Sequence, residues 1–167
     1  MANWSETYIT LSGDRVKEAV DKIKKDTDNG YLRYPVSGRG MTIDFFTDEE
    51  KGIVISGSGR WAGPDKYFKR LCEEYGLTCL YTDAEAGCNF AYLFEYKDGV
   101  FVREKEESSY FGNLGIEIFG IEYFIGYFSW ISNEENWEEE WADTVEIFKK
   151  HGVSLEDLKE CWEVKSA

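Results

Sequence analysis

A chain of 167 residues with 43% hydrophobic and 17% aromatic content is long enough for a sizeable core and too apolar for a disordered composition, in spite of a net charge of −14. The charge is uneven: residues 1–103 hold 17 acids and 14 bases, residues 104–146 hold 12 acids and only Lys105, and residues 147–167 hold four of each. A surplus of acids confined to one quarter of the chain argues against direct nucleic-acid binding, which needs clustered Lys and Arg, and predicts either a basic partner or a face that serves solubility alone.

WSETYITLSG alternates Trp4, Glu6, Tyr8 and Thr10 with Ser5, Thr7, Ile9 and Leu11, and predicts a strand that stops at Ser12–Gly13. Asp14 stands where a helix cap is wanted, and in DRVKEAVDKIKKD the residues Val16, Ala19, Val20 and Ile23 recur at helical spacing. MTIDFF and GIVISGSGRW are two further strands, joined as a hairpin by the polar turn TDEEKG. In GPDKYFKRLCEEYG, Pro64 marks a helix start, Phe68, Leu71, Cys72 and Tyr75 form one stripe, and Gly76 ends it. LTCLYTD, NFAYLFEYKDG and VFVREKE follow as strands, the last two hinged at Asp98–Gly99, a strong hairpin signal.

Strand, helix, strand, strand, helix, strand is the βαββαβ order of ferredoxin-like folds. The expected class is therefore α+β: a ferredoxin-like antiparallel sheet with extra strands over residues 1–131, and an acidic C-terminal helical extension over 132–167. NWSETYITLSGD followed by an amphipathic helix resembles the start of the YubB-like ferredoxin-like family of phage and plasmid proteins, and ISGSGRWAGPDKYFKRLCEEYG is similar to that family's second half. The resemblance spans residues 3–100 or so, and implies a ferredoxin-like fold and a mobile-element origin. YLRYPVSGRGMTID stands where the family carries a tryptophan-rich segment.

Beyond the resemblance, IEIFGIEYFIGYFSW mixes β-branched and aromatic residues around Gly120 and Gly126, and one or two buried strands are expected there, a helix being the alternative. Ser132 and Glu135 form a capping box that opens a helix over 134–149, ending at KKHG; Ser154 with Asp157 opens a short final helix. SNEENWEEEWADT, residues 132–144, sets Trp137 and Trp141 among six carboxylates. At about 100° per residue, Trp137, Trp141, Val145 and Phe148 share one stripe while Glu135, Glu139, Asp143 and Glu146 point away. The tryptophans are expected to pack on a core and the acids to face outward.

The sequence offers little to catalysis. No pair of carboxylates is marked out by spacing, and His151, the only histidine, sits at an expected helix end where it suits the dipole. Cys72, Cys79, Cys88 and Cys161 form no CxxC pair, so neither a zinc site nor a cofactor is expected, and the thiols are read as reduced and structural. SGSGRWAG is glycine-rich before a helix but fits neither the dinucleotide nor the Walker pattern. Tyr92, Phe94 and Tyr96 alternate on one strand and would share a face, suited to a core or to base stacking. The start of the chain lacks a basic region followed by an apolar one, and the apolar stretch 110–131 is broken by Glu117, Glu122 and four glycines, so neither a leader nor a membrane span is expected and the expected compartment is the host cytoplasm.

These observations lead to an expectation of a non-enzymatic phage or mobile-element protein that binds a basic host protein, a nucleic-acid-handling defence factor, by presenting carboxylates in place of phosphates. The candidate partner-binding residues are Glu104, Glu106, Glu107, Glu134, Glu135, Glu138, Glu139, Glu140 and Asp143, with Arg60 and Trp61 as secondary candidates on the sheet. The alternative is a structural or homo-oligomer-forming module whose acidity serves solubility only.

Overall fold

The computed structural model describes residues 4–33, 40–48, 52–60, 62–86, 89–131, 142–154 and 156–158. The chain divides into two compact units, residues 1–110 and 111–167.

The first unit contains β1 (Trp4–Ser12), α1 (Val16–Asp26), β2 (Thr27–Asp28), β3 (Tyr31–Arg33), β4 (Gly40–Thr42), β5 (Asp44–Asp48), β6 (Gly52–Arg60), α2 (Asp65–Tyr75), β7 (Thr78–Glu85), β8 (Phe90–Lys97) and β9 (Val100–Glu107). The class is α+β. The nine strands form one antiparallel sheet in the order β2-β3-β4-β6-β1-β7-β8-β9, with β5 also on β6. β6 lies between β5 and β1, and β1 lies between β6 and β7, so α2 links two strands, β6 and β7, that have β1 between them, while α1 leads from β1 to β2 at the far edge, with β6, β4 and β3 between. The β2–β3 hairpin was not expected, although Asn29-Gly30, both at positive φ, is the usual signal of a tight hairpin turn.

Period-2 burial places the core. Along β1, Ser5, Thr7, Ile9 and Leu11 are buried while Trp4, Glu6 and Tyr8 are exposed, so the bulkier aromatics of this strand face away from the helices. Ala19 and Ile23 of α1 and Tyr67, Phe68, Leu71 and Cys72 of α2 cover the inward face. Each large side chain fully withdrawn from water there contributes about 1.5–3 kcal/mol. Tyr92, Phe94 and Tyr96 do share a face, and it is this inward one: Phe94 stacks on Tyr81 at 4.6 Å between centroids and Tyr96 donates to Glu73 of α2. Core packing therefore claims the residues that base stacking would have needed.

Two ties set α1 antiparallel to α2. Arg15, at the start of α1, donates to the Glu74 carbonyl at the end of α2, and the Tyr67 hydroxyl at the start of α2 donates to Asp26 at the end of α1. Arg15 rather than Asp14 occupies the cap position, where it pairs with Glu18 and no side chain caps the helix. α2 begins after Pro64 and ends at Gly76, whose φ of 63° and N–H bond to the Cys72 carbonyl are the left-handed stop expected of glycine.

The second unit contains α3 (Asn113–Phe119), α4 (Ile121–Ile131) and α5 (Ala142–Lys150). The strands expected in 110–131 are replaced by the first two helices. A short apolar run does not distinguish a buried strand from a buried helix by composition. In the folded chain Glu117 and Glu122 are exposed while the consecutive Leu114, Gly115 and Ile116, and Phe124, are buried, which is helical burial and not strict alternation. Gly120, at φ 84°, ends α3 by donating to Ile116, and Phe124 seals the apolar side against Phe111 and Phe119.

α5 follows the expected stripe where it is described, with Val145 and Phe148 buried and Asp143 and Glu146 exposed. It closes with Gly152 donating to Lys149 and Val153 donating to Phe148, a Schellman arrangement. Ser154 and Asp157 exchange both capping-box bonds, at 2.6 and 3.1 Å. The box at Ser132 and Glu135, and Trp137 and Trp141 of the same stripe, lie outside the described residues.

Candidate functional site: an acidic cleft beside the terminal strand

α2 begins beside the sheet, and at that end Ala62, Gly63, Asp65, Asp83, Phe90, Tyr92, Glu104 and Glu106 enclose a cleft of about 460 Å³. Each acid arrives there for a local reason. Asp65 follows Pro64 in the first turn of α2, where a carboxylate suits the positive end of the helix. Asp83 continues the inward alternation Cys79, Tyr81, Asp83 along β7 and is 2% exposed. Glu104 and Glu106 stand opposite Phe94 and Tyr92 in the β8–β9 register, so both project to the α2 side.

Asp83 accepts from the Thr7 hydroxyl at 3.0 Å and from the Gly63 N–H at 2.7 Å, hydrogen bonds that a buried carboxylate requires. Its second bond takes the amide that a phosphate cradle in SGSGRWAG would have offered. Beneath Gly63, the Tyr81 hydroxyl is wholly buried and satisfies no hydrogen bond of good geometry among the described residues. Burial, with Asp83 and Asp65 nearby, pushes its pKa well up, so it stays neutral.

Glu104 accepts from Tyr92 and from Lys69 of α2, the latter at 2.9 Å. These two partners, Tyr92 first, hold its carboxyl below the usual range. Burial and the same contact raise the Tyr92 phenol. The Lys69 ammonium also lies 5.6 Å from the Tyr92 ring centre and 5.3 Å from that of Phe94. This wall therefore already holds one cation by charge and by ring faces, which shows the chemistry it favours. Four carboxylates against one ammonium disfavour an anion, in spite of the helix N-terminus.

The structure divides the sequence candidates. It brings Glu104 and Glu106 together and sets Glu107, opposite Ala91, on the other face of β9. Asp143 is exposed in the first turn of α5. Glu134, Glu135, Glu138, Glu139, Glu140 and Trp61 lie outside the described residues, and of Arg60 only its place at the end of β6 is described. Asp65 and Asp83 were missed. For Asp83 the signal was an acid that follows Cys79 and Tyr81 at the inward positions of β7.

His151 shares a hydrogen bond with Asn113 at 3.1 Å, between the end of α5 and the start of α3. Cys72 and Cys79 are buried free thiols, and Cys79 is pushed up by its contact with Cys72 and by burial. Cys88 and Cys161 lie outside the described residues. Among the described residues no cluster of three or more His, Cys, Asp or Glu could hold a metal ion, and no helix is long and apolar enough to cross a membrane. No family model, curated protein or solved structure matches the chain.

Proposed function

We propose that this is a non-enzymatic binding protein that meets a basic, nucleic-acid-handling protein of a bacterial host and occupies its phosphate-binding surface with carboxylates. The observation that carries the reading is the gathering of Asp65, Asp83, Glu104 and Glu106 around one cleft, at the start of the segment 104–146 in which 12 acids face a single lysine. Acids from α2 and β7 join Glu104 and Glu106 of β9 there, and a local field of that sign steers a basic partner. Through its resemblance to the YubB-like family, the chain is read as a phage or plasmid product with a ferredoxin-like centre. The order β7-β1-β6-β5, with α2 bridging over β1 from β6 to β7, supports that part of the reading.

The test is retention of host proteins on the immobilised full chain. The expected result is a basic nucleic-acid-binding protein, released by competing duplex DNA and by about 0.5 M salt, where the Debye length falls to roughly 4 Å. Retention that ignores both competitors would sink the reading. A second reading, an oligomer-forming module, has its own observation: Val100, Phe101 and Val102 are 67%, 50% and 50% exposed on the terminal strand. Sedimentation to a defined oligomer, with nothing retained, would favour it.

A further inference from the structure

We propose that β9 and the acidic cleft together form a docking site for an extended basic segment of the partner, which adds as a strand to the outer edge of β9 and sets arginine or lysine side chains against Glu104 and Glu106. The proposal rests on the reading above and deepens it by naming the partner's local form.

β9 ends the sheet, and no described strand lies beyond it. A terminal strand offers main-chain groups to any extended chain, and proteins usually blunt such edges with charge, bulges or cover. Here the register slips between Glu95 and Tyr96, leaving Val102 without an opposite residue, and Arg103 to Glu107 are charged. Yet Val100, Phe101 and Val102 stay at least half exposed, which is not how an edge is protected. The two ends of the strand thus differ, apolar at 100–102 and charged at 103–107.

Alternation then specifies the occupant. Glu104 and Glu106 project to the cleft side, while Arg103 and Lys105 project to the other. A strand laid along this edge places every second side chain beside the carboxylates, so the matching segment carries Arg or Lys at alternate positions and an apolar residue near Phe101. Along the charged half of the strand a second copy of this chain fits poorly. Continuing the sheet about a two-fold axis normal to it, centred at any of residues 103 to 106, sets like charges opposite each other at the axis.

The test is titration of the full chain with a fluorescent octapeptide alternating arginine with threonine, followed by anisotropy. Three altered peptides accompany it: one with citrulline for arginine, and two with N-methyl groups on alternate amides, in the odd and the even positions. Strand addition uses only one set of amides, so one N-methyl series is expected to weaken binding by about tenfold or more while the other retains it. Citrulline, and Glu106→Gln in the protein, are each expected to weaken binding several-fold. Equal binding of the two N-methyl series overturns strand addition. Undiminished binding of the citrulline peptide overturns the role of the carboxylates. No binding by the parent peptide overturns the site, and so does a dimer that protects the β9 amides from hydrogen exchange without peptide. A variant at Glu106 that loses the peptide yet still retains the host protein would retire this site and leave the broader reading in place.

Discussion

Gly63 shows how closely the cleft is built at the level of single atoms. A β-carbon there would lie 2.4 Å from the Tyr81 hydroxyl and 2.5 Å from the Thr7 hydroxyl, the group that also holds Asp83. Gly63→Ala is therefore expected to destabilise the protein by about 1–3 kcal/mol, read by chemical denaturation, as those side chains are forced apart. An unchanged midpoint would mean that the floor of the cleft is looser than its distances imply. Glu104 permits a test by pH. Its folded pKa is depressed, so its contribution is present above the ordinary carboxylate range and is lost as pH falls through the folded value. Its side chain is 42% exposed, so solvent screening keeps that contribution to a fraction of a kcal/mol, about 0.2–1. The Tm gap between the parent and Glu104→Gln is expected to be open at pH 7 and to close below about pH 4; a gap that widens in acid would contradict the assignment of Tyr92 and Lys69 as its partners.

At the scale of elements, the sheet depends on a close crossing of β4 and β6. A β-carbon at Gly57 would lie 1.8 Å from the Thr42 carbonyl oxygen, a backbone atom that cannot swing aside. Gly57→Ala is expected to cost more than Gly63→Ala, about 3–4 kcal/mol, with the loss seen first as faster amide exchange in β3 and β4. In the second unit, the buried Val145 and Phe148 continue the stripe that Trp137 and Trp141 begin in the sequence. If that stripe is apolar core throughout, Trp141→Ala lowers stability by about 3–5 kcal/mol, and a Tm within about 2 °C of the parent would instead place the indole in water. The same element holds the contrast between legible and illegible sequence. The Ser154–Asp157 box and the Gly152 stop could be read directly, because a cap involves residues three or four apart. The change from strand to helix in 113–131 could not, because the isolated run satisfies both.

For the whole molecule, the proposed partner binding depends most on the distribution of charge. Replacing Glu135, Glu138, Glu139 and Asp143 with Lys is expected to slow association with the proposed basic partner by about a decade or more and to flatten its salt dependence, since steering acts on the encounter rate. A folded variant with unchanged kinetics would leave those acids to solubility and keep binding at the cleft. The sequence by itself determined the α+β class, the amphipathic faces of α1 and α2, the Asp98-Gly99 hairpin and the concentration of acid after residue 103. Each of these depends on period, on turn chemistry or on composition, which are properties of neighbouring residues. Only the tertiary structure decided that Glu104 and Glu106 share a cleft with Asp65 and Asp83 while Glu107 does not. That grouping depends on strand register and on where α2 begins over the sheet, and register is set by contacts between residues far apart in the chain.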